Sequence, residues 1–189
     1  MLIKTRDELK RVLNMEVGKM SLKTLFFPPY NKQFIRSLRM FEFHSNNRGL
    51  YHSIMAFFWH IRYRRLAVLT GLNIPINVCG EGLTIYHTGC ITVNTTCKIG
   101  RNCCIHNNVN IGASGGRPGA PKIGDNVYIG PGAVIFGDIT IADGCFVGAN
   151  AVVNRSCLEP NSVIAGVPGK IVKKDYIFWW KKNGLIRQE

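Results

Sequence analysis

Residues 91–157 read ITVNTTCKIGRNCCIHNNVNIGASGGRPGAPKIGDNVYIGPGAVIFGDITIADGCFVGANAVVNRSC, and an aliphatic residue recurs there with a spacing of six. The aliphatic positions are Val93, Ile99, Ile105, Ile111, Ile123, Ile129, Ile135, Ile141, Val147 and Val153. Four positions after most of them stands a small or medium residue: Cys97, Cys103, Val109, Val127, Ala133, Ile139, Cys145, Ala151 and Cys157. Neither a helical period of about 3.6 nor the strict alternation of a single strand produces this spacing.

A six-residue unit with one aliphatic and one small inward residue suits one flat face of a triangular coil. Three units then complete a turn, and parallel strands stack turn on turn. Glycine often follows the aliphatic residue, as at Gly100, Gly124 and Gly148, where the chain bends from one face to the next. The pattern therefore predicts a mainly β fold built as a parallel β-helix.

The repeat is interrupted once, between Ile111 and Ile123, where the six-residue phase skips a unit. The intervening residues 113–122, ASGGRPGAPK, are rich in glycine and proline and are predicted to loop out of the coil. A long loop on a repeat scaffold is more often functional than decorative, with a disordered insertion as the alternative.

The flanking segments lack the six-residue period. Residues 1–70 predict three helices, at TRDELKRVLNMEV, NKQFIRSLRMFEFH and YHSIMAFFWHIRYRRLAVLTG, and YIFWWKKNGL predicts a short amphipathic helix near the C-terminus. The predicted organisation is a helical N-terminal region (1–70), a β-helix (71–174) carrying the loop at 113–122, and a C-terminal helix (175–189).

The seven cysteines include no CxxC pair and no Cys/His spacing typical of a metal site, so we expect neither a disulfide framework nor a bound metal. Four of them, Cys97, Cys103, Cys145 and Cys157, occupy the small inward position of the repeat, where packing explains them. Cys90 and Cys104 fall outside that register and are weak candidates for a nucleophile.

The formal net charge of +13 is concentrated near the N-terminus, where residues 1–66 hold 13 Lys/Arg against 4 Asp/Glu. No nucleic-acid-binding motif accompanies it. The aromatic residues Phe57, Phe58, Trp59, Trp179 and Trp180 have two interpretations. They either pack helices onto the coil or, beside Arg62, Arg64, Arg65, Lys181 and Lys182, form a peripheral face for an anionic membrane.

The location of the protein is predicted from what the sequence lacks. No apolar stretch reaches the roughly 18 residues that a spanning helix needs. The first ten residues are charged and contain no apolar signal-peptide segment. These features predict a cytoplasmic protein, placed at the inner membrane surface if the second interpretation of the aromatic residues holds.

Three segments, GLTIYHTGCITVNTTCKIG, PKIGDNVYIGPGAVIFGDITI and VIAGVPGKIV, resemble the hexapeptide-repeat acyltransferases. Within that family they are similar to the serine acetyltransferase-like branch, which includes O-acetyltransferases of capsular and exopolysaccharide assembly. The resemblance runs from about Arg64 to Lys174. It implies a left-handed parallel β-helix that transfers an acetyl group from acetyl-CoA to a hydroxyl.

In that branch a histidine just before the regular repeats is the general base, and the matching residue here is His87. The chemistry agrees with this position, because a hydroxyl must lose its proton as it attacks a thioester and imidazole titrates near neutral pH. The position of the carboxylate that orients the base corresponds to Asn73, and the residue before the base is Tyr86. His106 is a candidate contact for the acceptor.

The resemblance also implies a groove for the pantetheine arm, which needs small residues and free backbone groups. The candidates for this groove are Gly112, Ala113, Gly130, Ala149 and Ala165. Arg155, Lys170 and Lys173 are the cations nearest the last coils and are candidates for the phosphates of CoA. The family closes this groove with a neighbouring subunit, which implies a homotrimer with three sites at its interfaces.

The acceptor is judged from residues that the family uses to hold serine. Its characteristic acidic residues correspond to Asn73 and Tyr86, and the Arg-His pair of its projecting loop corresponds to Gly119 and Ala120. A zwitterion needs charged partners at both ends, because unpaired ions are costly to desolvate. The expected function is therefore acetylation of a sugar hydroxyl in surface polysaccharide biosynthesis. The alternatives are a serine O-acetyltransferase of cysteine biosynthesis and a non-catalytic β-helix scaffold.

Overall fold

The computed structural model describes residues 2–18, 29–116 and 118–177. Within these residues three helices come first: α1 (Arg6–Glu16), α2 (Tyr30–Ser45) and α3 (Leu50–Thr70). Helix α1 begins with a capping box, in which the Thr5 hydroxyl accepts from the Glu8 amide and the Glu8 carboxylate accepts from the Thr5 amide. Helix α3 ends at Gly71, whose left-handed φ of 72° suits glycine.

Fourteen short strands follow in the part of the chain that the structure describes. They are β1 (Leu72–Asn73), β2 (Thr84–Ile85), β3 (Ile91–Val93), β4 (Lys98–Ile99), β5 (Cys104–Ile105), β6 (Val109–Gly112), β7 (Lys122–Ile123), β8 (Tyr128–Ile129), β9 (Val134–Phe136), β10 (Thr140–Ile141), β11 (Phe146–Val147), β12 (Val152–Val153), β13 (Val163–Ala165) and β14 (Lys170–Lys173). Successive strands belong to different sheets, as expected of a coil.

The strands form three sheets, one for each face of the coil. Face 1 contains β1, β3, β6, β9 and β12; face 2 contains β4, β7 and β10; face 3 contains β2, β5, β8, β11, β13 and β14. All pairs are parallel except β13 with β14, a terminal hairpin on face 3. The predicted parallel β-helix is confirmed.

The interior of the coil is filled by the two predicted registers. All ten aliphatic positions are at most 4% exposed, and all nine small or medium positions are at most 7% exposed. Each coil thus buries an aliphatic and a small side chain per face, and stacking the coils joins them into one apolar core. The cysteines at positions 97, 103, 145 and 157 belong to this core, as the repeat predicts.

The interruption of the repeat lies between β6 and β7. On face 2, Lys122 pairs with Thr140, a separation of 18 residues that matches three six-residue units. Lys98 pairs with Lys122, a separation of 24 residues, so the coil that carries the loop holds six additional residues. The chain leaves face 1 after Gly112 and rejoins face 2 at Lys122, which belongs to β7 and not to the loop.

The helices do not form a separate domain beside the coil. Phe34, Ile35, Leu38, Tyr63 and Leu66 are buried in the same apolar core as the first strands. The Tyr63 hydroxyl donates to the carbonyl oxygen of Ile74 over 2.8 Å. The boundary predicted at residue 70 therefore marks a change of secondary structure within one packed unit.

A buried polar cluster reinforces this junction, and we call it the Arg39 clasp. The Arg39 guanidinium contacts Glu16 and Glu42 at 2.7 and 2.8 Å. It also donates to the carbonyl oxygens of Cys79 and Gly80. The two carboxylates in turn accept from the backbone amides of Leu83 and Asn77, in the first coil. Burial opposes the charge on Arg39, but the two carboxylates outweigh it and raise the pKa of the guanidinium.

Among the helices that the structure describes, none is both long and apolar enough to cross a membrane. The predicted C-terminal helix is not seen at residues 175–177, and its remaining residues 178–189 lie outside the described part of the chain. Trp179, Trp180, Lys181 and Lys182, which the sequence suggested for a membrane face, are among those residues.

Candidate functional site

His87 lies in the turn that joins β2 on face 3 to β3 on face 1, and it is exposed. Since Ile85 pairs with Ile105, this turn stacks directly on the turn that carries His106 and Asn107. The two turns are closely packed: a Cβ on Gly89 would lie 2.9 Å from the Cβ of Asn107, and the φ of Gly89 is +145°. A side chain at position 89 would push the turns apart, so this glycine helps to fix where His87 stands.

His106 stands next to His87, with 6.1 Å between the ring centroids. Its ring also contacts Tyr86 and Tyr128, at centroid distances of 5.4 and 4.9 Å. Burial, together with the nearby His87, lowers the pKa of His106, and burial raises the pKa of the Tyr86 phenol. The free site at neutral pH therefore presents a neutral imidazole and a neutral phenol beside His87.

The aromatic contacts continue down face 3, away from His87. Tyr128 stacks on Phe146 with a centroid distance of 4.5 Å and an interplanar angle of 4°. Phe146 reaches Tyr176, over whose ring Lys173 places its Nζ at 5.3 Å. The sequence analysis missed Tyr128 and Phe146. They are 18 positions apart, so a search with the period of a whole coil would have found them.

Three of the proposed pantetheine-groove residues share one edge of the coil. Gly130, Ala149 and Ala165 follow or end β8, β11 and β13, at the edge where face 3 turns into face 1. A Cβ on Gly130 would lie 2.8 Å from the Ala149 amide nitrogen, so successive turns of this edge are in close contact. We call it the small-residue edge, and the turn with His87 stands at its head.

The other groove residues lie elsewhere in the chain. Gly112 ends β6 on face 1, and Ala113 begins the loop that follows, so both stand at the edge between faces 1 and 2. Arg155 follows β12 on face 1 and is exposed. A single chain therefore does not bring Gly112, Ala113 or Arg155 onto the small-residue edge.

The two candidate lysines lie on the terminal hairpin. Lys170 of β14 pairs with Ala165 of β13, which puts its strand position beside the end of the small-residue edge. Lys173 pairs with Val163 and contacts Tyr176. All four residues of β14 are exposed, so both ammonium groups are accessible to an anion.

Asn73 occupies β1 on face 1, where it is exposed and pairs with Thr92. Within residues 2–18, 29–116 and 118–177, His87 has no hydrogen-bond partner, Asn73 included. A role for Asn73 in orienting the base thus remains a prediction.

Neither loop position that corresponds to a charged residue of the family has room for a long side chain, although Gly119 is exposed. Ala120 is buried in the apolar core. Gly119 has a φ of +99°, and a Cβ there would lie 2.5 Å from the Cβ of Asp138. Bulky charged side chains do not fit these two positions in this chain.

The cysteines outside the repeat register differ in exposure. Cys104 is buried, and burial raises the pKa of its thiol to about 12, so it is protonated at neutral pH and is no nucleophile. Cys90 is exposed, in the same turn as His87.

Comparison with known proteins identifies relatives of the coil. Residues 120–155 match the family model "Bacterial transferase hexapeptide (six repeats)". Serine acetyltransferase of Staphylococcus xylosus is 41% identical over 109 residues, covering 56% of this chain and 50% of the relative. Serine acetyltransferase of Mycobacterium tuberculosis is 34% identical over 132 residues, covering 64% and 57%. The chain thus spans about half the length of the curated relatives it matches.

Solved structures extend the similarity to the helices. Soybean serine acetyltransferase matches 87% of this chain with a TM-score of 0.66 and 27% identity, over 66% of the soybean chain. The same enzyme complexed with serine gives a TM-score of 0.69 and 26% identity, over 87% of this chain and 69% of that one.

These relatives correct the acceptor expected from the sequence. Acetylation of a sugar hydroxyl in polysaccharide biosynthesis is wrong as the main hypothesis, because the relatives are named serine acetyltransferases and one structure holds serine. The error arose because four positions at which the family carries charged residues are uncharged here, and they were given more weight than the similarity of the whole coil. These positions are Asn73, Tyr86, Gly119 and Ala120. The repeat, the fold and these relatives together show that the coil is similar to that of hexapeptide-repeat transferases, and they support the serine acetyltransferase-like branch of that family.

Proposed function

We propose that this chain is an acetyl-CoA-dependent O-acetyltransferase with the hydroxyl of L-serine as its acceptor. The observation that carries the proposal is the position of His87, exposed at the head of the small-residue edge on a coil similar to that of serine acetyltransferases. The names of these relatives supply the acceptor, and the family resemblance supplies the acetyl donor.

The proposed reaction needs one base. His87 takes the proton of the serine hydroxyl as its oxygen attacks the thioester carbonyl of acetyl-CoA. The new C–O bond forms, the C–S bond breaks, and the CoA thiolate leaves with the proton that His87 returns. The exposure of His87 lets both substrates approach it.

The small-residue edge suits the pantetheine arm of acetyl-CoA. Ala149 is exposed and Ala165 is half-buried, so an extended amide-bearing chain can lie against the backbone there, while Gly130 is buried between successive turns of the edge. The edge ends beside the strand position of Lys170, to whose exposed ammonium group we assign the phosphates of the nucleotide end.

Serine has two charged ends, and His106 is the side chain beside His87 best suited to its carboxylate. The approach of an anion favours the protonated imidazole and so opposes the burial that lowers the pKa of His106 in the free site. Tyr86 and Asn73 offer neutral oxygens for the ammonium group. Under this proposal neutral and titratable groups replace the charged residues that the family carries.

We expect the chain to release CoA from acetyl-CoA in the presence of L-serine. L-alanine is the matched control, because it keeps both charged ends of serine and lacks only the hydroxyl. CoA release can be followed with a thiol reagent, and O-acetylserine can be identified by mass spectrometry. Release that is no faster with serine than with alanine would refute serine as the acceptor.

We also propose a homotrimer. Gly112 and Ala113 lie on a different edge from Gly130, Ala149 and Ala165, so both sets line one groove only when it forms between two subunits. Light scattering should give three times the chain mass of 21.1 kDa. A monomer that turns over serine would show that one chain completes the groove.

A further inference from the structure

Helix α3 carries a row of exposed apolar side chains on the side turned away from the protein. Phe57 is 68% exposed and Val68 is 83% exposed. The row repeats at helical spacing and consists of Leu50, Ile54, Phe57, Phe58, Ile61 and Val68. We call it the α3 stripe; it runs nearly the whole length of the helix.

The opposite side of α3 already has its partners. Tyr63, Leu66 and Thr70 are buried against the rest of the protein. A helix that is apolar on both sides is normally covered on both. Exposed apolar surface of this extent typically marks an interaction site.

The charges around the α3 stripe have one sign. Arg62 and Arg64 are exposed on the two flanks of the stripe, and Arg65 is exposed within it, between Ile61 and Val68. The sequence contains no Asp or Glu between Glu42 and Glu81. Glu42 is itself buried in the Arg39 clasp and is not available at this surface.

We propose that the α3 stripe is a peripheral docking surface for an anionic lipid bilayer. Its aliphatic and aromatic side chains would enter the boundary between headgroups and acyl chains, while the flanking arginines meet anionic headgroups. A second copy that presents this same face fits less well, because it would bring arginines together without an acidic counterpart. Anionic headgroups supply that counterpart.

The test is flotation of the full-length protein with vesicles of phosphatidylcholine, with or without phosphatidylglycerol. We expect binding to the anionic vesicles that weakens as NaCl is raised. The double variant Phe57→Ser/Phe58→Ser should lower the partition coefficient by roughly tenfold or more. Arg64→Gln should lower it by about fivefold on anionic vesicles only.

Leu158→Ser is the matched control, since Leu158 is 72% exposed but lies on the coil between β12 and β13. It should float like the parent protein. Circular dichroism checks that the double variant is folded. The proposal is overturned by absence of binding, by equal binding to both kinds of vesicle, or by normal flotation of the double variant. A smaller assembly of the double variant in lipid-free solution would also overturn it and assign the stripe to a second copy.

Discussion

His87→Ala is expected to abolish serine-dependent CoA release, with kcat lower by roughly 10²- to 10⁴-fold, the usual contribution of a general base. The KM for acetyl-CoA should change little, because the small-residue edge and the terminal hairpin are untouched. Since His87 is exposed, added imidazole should enter the vacated space and restore part of the activity.

The companion variant His106→Asn tests whether His106 binds serine, in contrast to His87, which acts as the base. If His106 holds the serine carboxylate, losing one charged hydrogen bond raises the KM for serine by roughly tenfold to a hundredfold, while kcat stays within about tenfold. Equal losses of kcat in the two variants would contradict this division of roles. Full activity of His87→Ala would exclude His87 as the base.

The fold could be predicted from the sequence because its periodicity comes from local packing. Each inward side chain, such as Ile105 or Ile129, meets its equivalents one coil away, so the same requirement recurs at each coil. The interruption at residues 113–122 was visible for the same reason. The loop interrupts the six-residue spacing of aliphatic positions that the surrounding strands keep.

The contacts of the site could be predicted only in part. His87 was identified from the family resemblance, but its neighbourhood depends on which outward residues coincide when coils stack. Tyr86, His106 and Tyr128 meet across three coils. The two coils between them are 20 and 24 residues long, from Ile85 to Ile105 and from Ile105 to Ile129, so their spacing follows no simple period. The inward packing of Ala120 was equally hidden, because it depends on how the loop rejoins the coil.

The link between helices and coil was missed because it joins residues far apart in the chain. Arg39 reaches Glu16 and the carbonyl oxygen of Gly80 across 23 and 41 positions, a relation that no local pattern reports. Glu42 is the single acidic residue of α2, and its burial against Arg39 makes it part of the junction.

We expect Arg39→Met to destabilise the protein by about 3–5 kcal/mol, because it leaves the carboxylates of Glu16 and Glu42 buried without their counter-ion. Helices and coil share one core, so the loss should appear as a single unfolding transition at a lower Tm, measured by circular dichroism during heating or in urea. Methionine keeps much of the arginine stem, which limits the contribution of lost packing.

Two further variants test whether the unpaired buried carboxylates cause the loss of stability in Arg39→Met. Arg101→Met removes an ion pair with Asp125 whose side chains are 52% and 29% exposed, and it should cost no more than about 1 kcal/mol. Adding Glu16→Gln and Glu42→Gln to Arg39→Met removes the stranded charges and should recover part of the lost stability. If the triple variant is no more stable than Arg39→Met, the hydrogen bonds of Arg39 to Cys79 and Gly80, and not the charge balance, hold the helices on the first coil.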